Sequence, residues 1–207
     1  MGADVLGLLT GGYRIVLYTT QSAVIVLGYY LGVLYWMARR GTADPAAPRL
    51  RGAVTLWIVI TGLVAHFVLN HGENPLPGLV HDDPETLLVN RSLFLVHYVV
   101  PVMVLLDWVA FGPHGAARWR DLPLWLAYPV GYGLTSMARA VLFPTVPDRY
   151  PYFFVDPTEH GYGWVWAYVL GLALAFAALG ALLIGLDRLA GRLRAAAAPP
   201  GEVPVRR

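Results

Sequence analysis

The sequence predicts an all-α fold: a polytopic transmembrane helical bundle with five spans, or six if Met1–Gly12 also crosses, and a cytoplasmic C-terminus. Three observations lead there. First, 57% of the 207 residues are hydrophobic, only 14% are charged, and the mean hydropathy is +0.55, whereas a soluble domain carries about 25% charged residues. Second, the charges collect in short segments between apolar runs of about 20 residues, the length that crosses a ~30 Å hydrocarbon layer. Third, the arginines alternate from loop to loop.

The spans follow in order. The first covers about Ile15 to Ala38 and the second about Gly52 to Asn70. The third covers about Asn90 to Phe111, the fourth about Leu122 to Phe143 and the fifth about Gly163 to Leu186. Pro101 and Pro129 fall inside spans and are expected to kink them, since neighbouring helices can satisfy the freed carbonyls. Met1–Gly12 lacks the basic start and small-residue cleavage site of a secretory signal. It reads as a half-helix or a stub of the first span. Residues 1–190 form one membrane domain, and 191–207 a flexible cytoplasmic tail.

Orientation comes from the arginine bias. The first loop, the third loop and the tail hold eleven arginines, against three (Arg14, Arg91 and Arg149) on the opposite side. Glu73, Asp82, Asp83, Glu85, Asp148, Asp156 and Glu159 all sit in the second and fourth loops. The N-terminus is therefore expected outside and the C-terminus inside.

Composition also narrows the chemistry. There is no Cys, so no disulfide framework, thiol nucleophile or thiolate metal site. All 15 basic residues are Arg, so no lysine amine is available either. A net charge of +2, spread along span edges, does not make a nucleic-acid surface.

Polar groups inside a span are costly and each asks for a reason. Thr19, Thr20, Gln21 and Ser22 lie in the first two turns of the first span. His66 and Asn70 lie near the outer end of the second. His97 is about two turns below Asn90 in the third, and Arg139 is in the outer half of the fourth. All belong to the outer leaflet. Asp107 is different: ten residues past His97, it lies roughly 15 Å away along the helix. It cannot orient the His97 ring, and is expected to anchor the helix end beside Trp108, paired with Arg118 or Arg120. Taken singly, these residues have structural readings: hydroxyls bonding their own helix, His66 packing at the headgroups, Arg139 snorkelling. Their convergence at one depth points to a site. The fourth loop, 144–163, with Tyr150, Tyr152, Asp156, His160 and Tyr162, reads either as an aromatic belt or as a lid contributing Asp156 or His160.

Several of these stretches resemble motifs of a bacterial family of six-span membrane proteins. Tyr18-Thr19-Thr20-Gln21-Ser22 resembles that family's F-T-x-Q-S-N opening. His97 to Pro101, running on to Leu106-Asp107-Trp108, resembles its H-x-x-x-P…L-D-W helix. Trp125 to Tyr132 resembles W-x-x-Y-P-x-x-Y, and Tyr150-Pro151-Tyr152 with Asp156 resembles Y-P-Y-x-F-x-D. The family in turn is remotely similar to the animal androgen-induced and androgen-dependent membrane hydrolases, which cleave fatty acid esters of hydroxy fatty acids with a Thr nucleophile and a His. The resemblance implies a bacterial inner-membrane location, Thr19 as nucleophile and His97 as base, with Asp107 matching a downstream acid. Ala23 replaces the family's Asn, the His-to-Pro spacing is one shorter than in the animal proteins, and the first span is reduced or lacking.

The implied reaction is hydrolysis of a lipid ester, with no cofactor and no metal, on a fatty-acyl substrate held by apolar span walls. Gln21, Asn70, Asn90 or Arg139 would hold the oxyanion, and Asp156 or Tyr132 would orient His97. Ser22, His66 and Tyr152 complete the supporting set. The competing reading is a non-enzymatic protein that binds or carries a lipid at the same cluster. Haem ligation by His66 and His97, and a zinc site from His66, His71 and His97, are weaker alternatives.

Overall fold

In a computed structural model that describes residues 14–43, 45–146 and 149–197, the secondary structure is all helical, with no strand among the described residues. The segment Met1–Gly12, Asp148, and the tail from Ala198 with Arg206 and Arg207 lie outside the described residues.

The first helix, α1, spans Tyr18–Arg40 and stops at Gly41, whose positive φ of 60° lets its N–H cap the Met37 carbonyl. Helix α2 (Pro48–Leu63) opens on Pro48, where a missing N–H costs nothing, and continues as a π-helical segment, Val64–Leu69. Helix α3 (Pro84–Phe94) is capped by Asp83, which accepts the Thr86 N–H at 2.9 Å. A second π-helical segment, Leu95–Val99, joins it to α4 (Val100–Ala110). Helix α5 spans Leu122–Leu142 with Pro129 inside it. Helix α6 spans Gly161–Ala197 and passes well beyond the predicted span end at Leu186.

Four of these stretches are long and apolar enough to cross a membrane: Tyr18–Arg40, Pro48–Leu69, Pro84–Ala110 and Gly161–Ala197. Leu122–Leu142 has the length, but Pro129, Gly131, Gly133, Thr135, Ser136 and Arg139 lower its hydropathy, and it is not among the four. Large apolar side chains face outward along the helices, Leu27 and Leu31 on α1, Leu106 on α4, and Leu170 and Leu174 on α6 among them. Such a surface is consistent with a surrounding bilayer and not with water.

Helix α2 is the centre. Val54, Leu56, Ile58 and Ile60 are fully enclosed, and α2 touches α1, α4, α5 and α6. A helix apolar on all faces buries itself in this way. Gly52 lets Trp125 of α5 lie directly on the α2 backbone.

One end of the bundle is tied by buried charges. Arg51, 5% exposed, donates to Asp107 Oδ2 at 2.7 Å and to the Phe111 and Gly112 carbonyls at 2.6 and 2.8 Å. Tyr30 adds a bond to the same carboxylate at 2.8 Å. The sequence paired Asp107 with Arg118 or Arg120. The structure instead gives it Arg51, because α2 and α4 pack side by side and bring the start of one to the end of the other. Asp187 of α6 accepts the Ala117 N–H at 2.9 Å, with His114 beside it at 3.7 Å. Gly191 and Gly115 let that loop rest on the α6 backbone, where a Cβ on Gly191 would meet Gly115 Cα at 2.7 Å. The first interhelical loop, the third, and the distal part of α6 therefore share one end.

Arg49 binds Asp121 at the same end, its Nε donating to Oδ2 at 2.9 Å. The Arg49 hydrogen bond, helped by the Arg118 N–H, holds the Asp121 carboxyl below the usual carboxylate range. A depressed folded-state pKa contributes stability that is complete above the unfolded value of about 3.9 and is lost as the pH falls through the folded value. The thermal midpoint should therefore drop on acidification below about pH 4, and Asp121→Asn should flatten that acid limb. Equal acid limbs in both proteins would contradict the assignment.

Candidate active site

At the opposite end, Thr19 occupies the second position of α1, and His97 sits in the π-helical segment between α3 and α4. Thr19 Oγ1 and His97 Nε2 are 3.2 Å apart. Both side chains are half-buried. With the ring proton on Nδ1, Nε2 keeps its lone pair and takes the Thr19 hydroxyl proton. Asp156 and Tyr132, expected to orient the ring, bond Thr158 and Val16 instead.

The π-helical segments place this end. Such segments widen the turn and shift which carbonyls are available, and they concentrate at functional sites. One carries His97 and the other, Val64–Leu69, carries His66. Pro101 has no N–H to offer the His97 carbonyl, and Gly62 of α2 packs against both. A Cβ at Gly62 would come 2.8 Å from the His97 carbonyl oxygen and 3.2 Å from Pro101. Gly62→Ala should therefore push the His97 segment away from α2. The expected cost is about 1–3 kcal/mol, with a loss of the Thr19–His97 contact. A thermal midpoint and activity equal to wild type would refute it.

Below Thr19, Ser22 is fully buried and its hydroxyl lies 2.8 Å from that of Thr61 on α2. Ser22 also donates to the Thr19 carbonyl at 3.1 Å. These bonds seat the first turn of α1 on α2. Tyr152, from the loop before α6, closes the site from the other side. It accepts the Tyr18 N–H at 3.2 Å. Burial raises the Tyr152 phenol above its ordinary value, and hydrogen bonding from the first turn of α1 holds back part of that rise. The phenol keeps its proton at neutral pH.

A cavity of about 210 Å³ begins at Tyr18, Thr19 and Tyr152. Ile60, Val64, Met137, Val169 and Phe176 make its walls almost wholly apolar. Its lining includes Leu134 of α5 and Trp166 of α6, 56% and 51% exposed, so it reaches the outer apolar surface at the seam between those helices. His97 does not line it and reaches Thr19 from the α3–α4 side. A second hollow lies across Tyr132, lined by Gln21, Thr135, Ser136 and Arg139 together with Val16, Phe143 and Pro151.

The remaining predicted residues are engaged elsewhere. Gln21 donates to the Ile15 carbonyl at 3.0 Å, and Tyr132 to the Val16 carbonyl at 2.7 Å. Asn90 bonds the Gly78 carbonyl at 2.9 Å. Arg139 donates to the Arg149 carbonyl at 3.3 Å. His66 and Asn70 both meet the Tyr98 hydroxyl, at 3.3 and 3.1 Å. Asp156 forms a local turn with the Thr158 N–H at 2.9 Å. Asp107 is tied to Arg51 at the far end. Among the described residues, no three His, Asp or Glu side chains converge as metal ligands would. The Thr61 and Tyr18 contributions came from packing. Thr61 alone had a signal, as one more hydroxyl at the depth of Thr19.

The geometry stands by itself for this chain: no protein-family model, curated protein or solved structure matches it.

Proposed function

We propose that the protein is an integral membrane hydrolase that cleaves a lipid ester with Thr19 as nucleophile and His97 as general base. The observation that carries this reading is the 3.2 Å contact of Thr19 Oγ1 with His97 Nε2, with Thr19 on the wall of an apolar cavity. A threonine hydroxyl is a weak nucleophile and needs such a base within reach. The Thr19 proton passes to Nε2 as Oγ1 bonds the ester carbonyl carbon and the carbonyl pair moves onto oxygen. The adduct collapses, the ester C–O bond breaks, and His97 returns the proton to the leaving alcohol. Water then repeats the cycle on the acyl-threonine and releases the acid. The cavity accepts the acyl chain, and its opening between α5 and α6 admits substrate from the bilayer.

The reading extends to the placement. Five spans, with the second and fourth loops outside and the arginine-rich end in the cytoplasm, follow the charge bias, and the sequence resemblance points to a bacterial inner membrane. The similarity to the androgen-induced and androgen-dependent hydrolases points to a fatty acid ester of a hydroxy fatty acid as substrate. The test is hydrolysis of a long-chain ester by the purified protein in lipid nanodiscs. Turnover lost in both Thr19→Ala and His97→Ala supports the reading. Binding of the ester without turnover in the wild type would instead establish a lipid-binding or carrier protein.

A further inference from the structure

The cavity at Thr19 has a closed end, and the turns that line it show where. On α6 its wall runs inward from Trp166 through Val169 and Ala173 and stops at Phe176. On α2 it stops at Ile60, and on α5 at Pro129. The next turn inward is packed solid. A Cβ on Gly180 of α6 would come 2.7 Å from a methyl group of Leu122 on α5 and 3.3 Å from one of Leu56 on α2. Leu183 and Ile184 are buried just beyond. Helices α5 and α6 thus touch at that level and leave the cavity between them above it, where exposed Leu134 and Trp166 flank the opening. Helical side chains lean toward the helix N-terminus, and α6 begins at the Thr19 end, so the half-buried Phe176 ring leans into the cavity.

The depth follows from the aromatic stack. Tyr152, bonded to the Tyr18 N–H, lies stacked on Phe154, and Phe154 on Tyr168 of α6. Phe176 is eight residues further along α6, or about 12 Å at 1.5 Å per residue. That is shorter than the ~15 Å leaflet that a membrane lipid chain fills. We propose that Phe176 is the floor of an acyl site, and that it restricts the reaction of Thr19 proposed above, on which this selectivity rests, to esters of medium-chain acids. An extended hydrocarbon advances about 1.25 Å per bond, so about eight to ten carbons reach the floor. A longer chain cannot push the floor down, because the packed side chains of Leu56 and Leu122 stand behind it and a close-packed core resists added volume. The long chain of such a substrate is the alcohol half, which lies in the bilayer at the α5–α6 opening. Ala173, one turn above Phe176 on the same helix face, keeps the way to the floor open by being small.

The experiment uses the full chain in lipid nanodiscs and p-nitrophenyl esters of straight-chain acids from about four to about sixteen carbons. Wild-type kcat/KM should peak at about eight to ten carbons and fall at least about tenfold by four carbons more. Phe176→Ala should move the peak about three carbons longer, and Ala173→Phe, which sets a ring one turn higher, about four carbons shorter. Dividing each variant's rate by the wild-type rate at the same length cancels partitioning of the ester into the bilayer. Opposite shifts cannot come from partial unfolding, which lowers every length together. A peak unmoved in both variants overturns the proposal, as does a wild-type profile that keeps rising to the longest ester. The two readings fail separately. If Thr19→Ala is inactive at every length while both floor variants keep the wild-type profile, the floor alone fails. If the wild type hydrolyses none of the esters, the hydrolase reading fails and binding decides the floor. Straight-chain fatty acids should then raise the wild-type thermal midpoint only up to about ten carbons, and that of Phe176→Ala to greater lengths. The same limit in both proteins overturns the floor.

Discussion

Thr19→Ala and His97→Ala are each expected to reduce ester hydrolysis by about 10,000-fold or more, and the double variant by little further, because a nucleophile and its base act as one unit. Neither substitution should unfold the protein. Thr19 and His97 are half-buried, and the α1–α2 contact is held one turn lower by Ser22 and Thr61. Thermal midpoints close to wild type, with labelling by a lipid-like hydrolase probe abolished, are the expected pair of results. Thr19→Ser keeps a hydroxyl at the same place and should retain part of the activity. Activity should fall in acid, since only the neutral imidazole can accept the Thr19 proton. Undiminished labelling in both alanine variants would remove the catalytic assignment.

Arg51→Met is expected to be the most destabilising single substitution at the opposite end, by roughly 3 kcal/mol. The Arg51 guanidinium binds Asp107 through its carboxylate and its carbonyl and also reaches the Phe111 and Gly112 carbonyls. Removing it strands a carboxylate and the Phe111 and Gly112 carbonyls; the Asp107 carbonyl keeps the Phe111 N–H, and among the described residues Tyr30 is the one hydrogen-bond donor still placed on the carboxylate. Asp107 is a third exposed, which keeps the cost at the lower end of that for a fully buried pair. Arg51→Lys should not restore stability, because an ammonium cannot serve several acceptors in the plane of a guanidinium. Arg40→Met, on an exposed residue, is the control and should change stability by no more than about 0.5 kcal/mol. An Arg51→Met midpoint equal to that of the control would refute the clamp.

The two ends differ in how far they were legible. The helices followed from run length and the polar residues from composition, and grouping Thr19 with His97 needed only their depth along two spans. The partner of Asp107 was misread because loop neighbours in sequence, Arg118 and Arg120, look closer than Arg51 on another helix. The oxyanion candidates Gln21, Asn70, Asn90 and Arg139 were chosen for residue type and depth, and depth does not say which way a side chain turns. From Arg188 onward the sequence reads as a solvated helix end, and the structure carries that helix to Ala197, since Arg188, Arg192 and Arg194 end a hydrophobic run without ending a helix.

By itself the sequence determined a chain of apolar helices with few polar groups inside them, gathered at one depth, and without thiol or amine nucleophiles. These are one-dimensional properties, set by which residues occur and how they are spaced along an axis. Only the tertiary structure decided azimuth and partnership. It turned Thr19 toward His97, set Tyr152 on the Tyr18 N–H beside it and locked Arg51 to Asp107. Those outcomes depend on how helices rotate and pack against α2, and on two π-helical segments that shift the register of His66 and His97. Packing between helices distant in the chain leaves no periodic mark in the sequence.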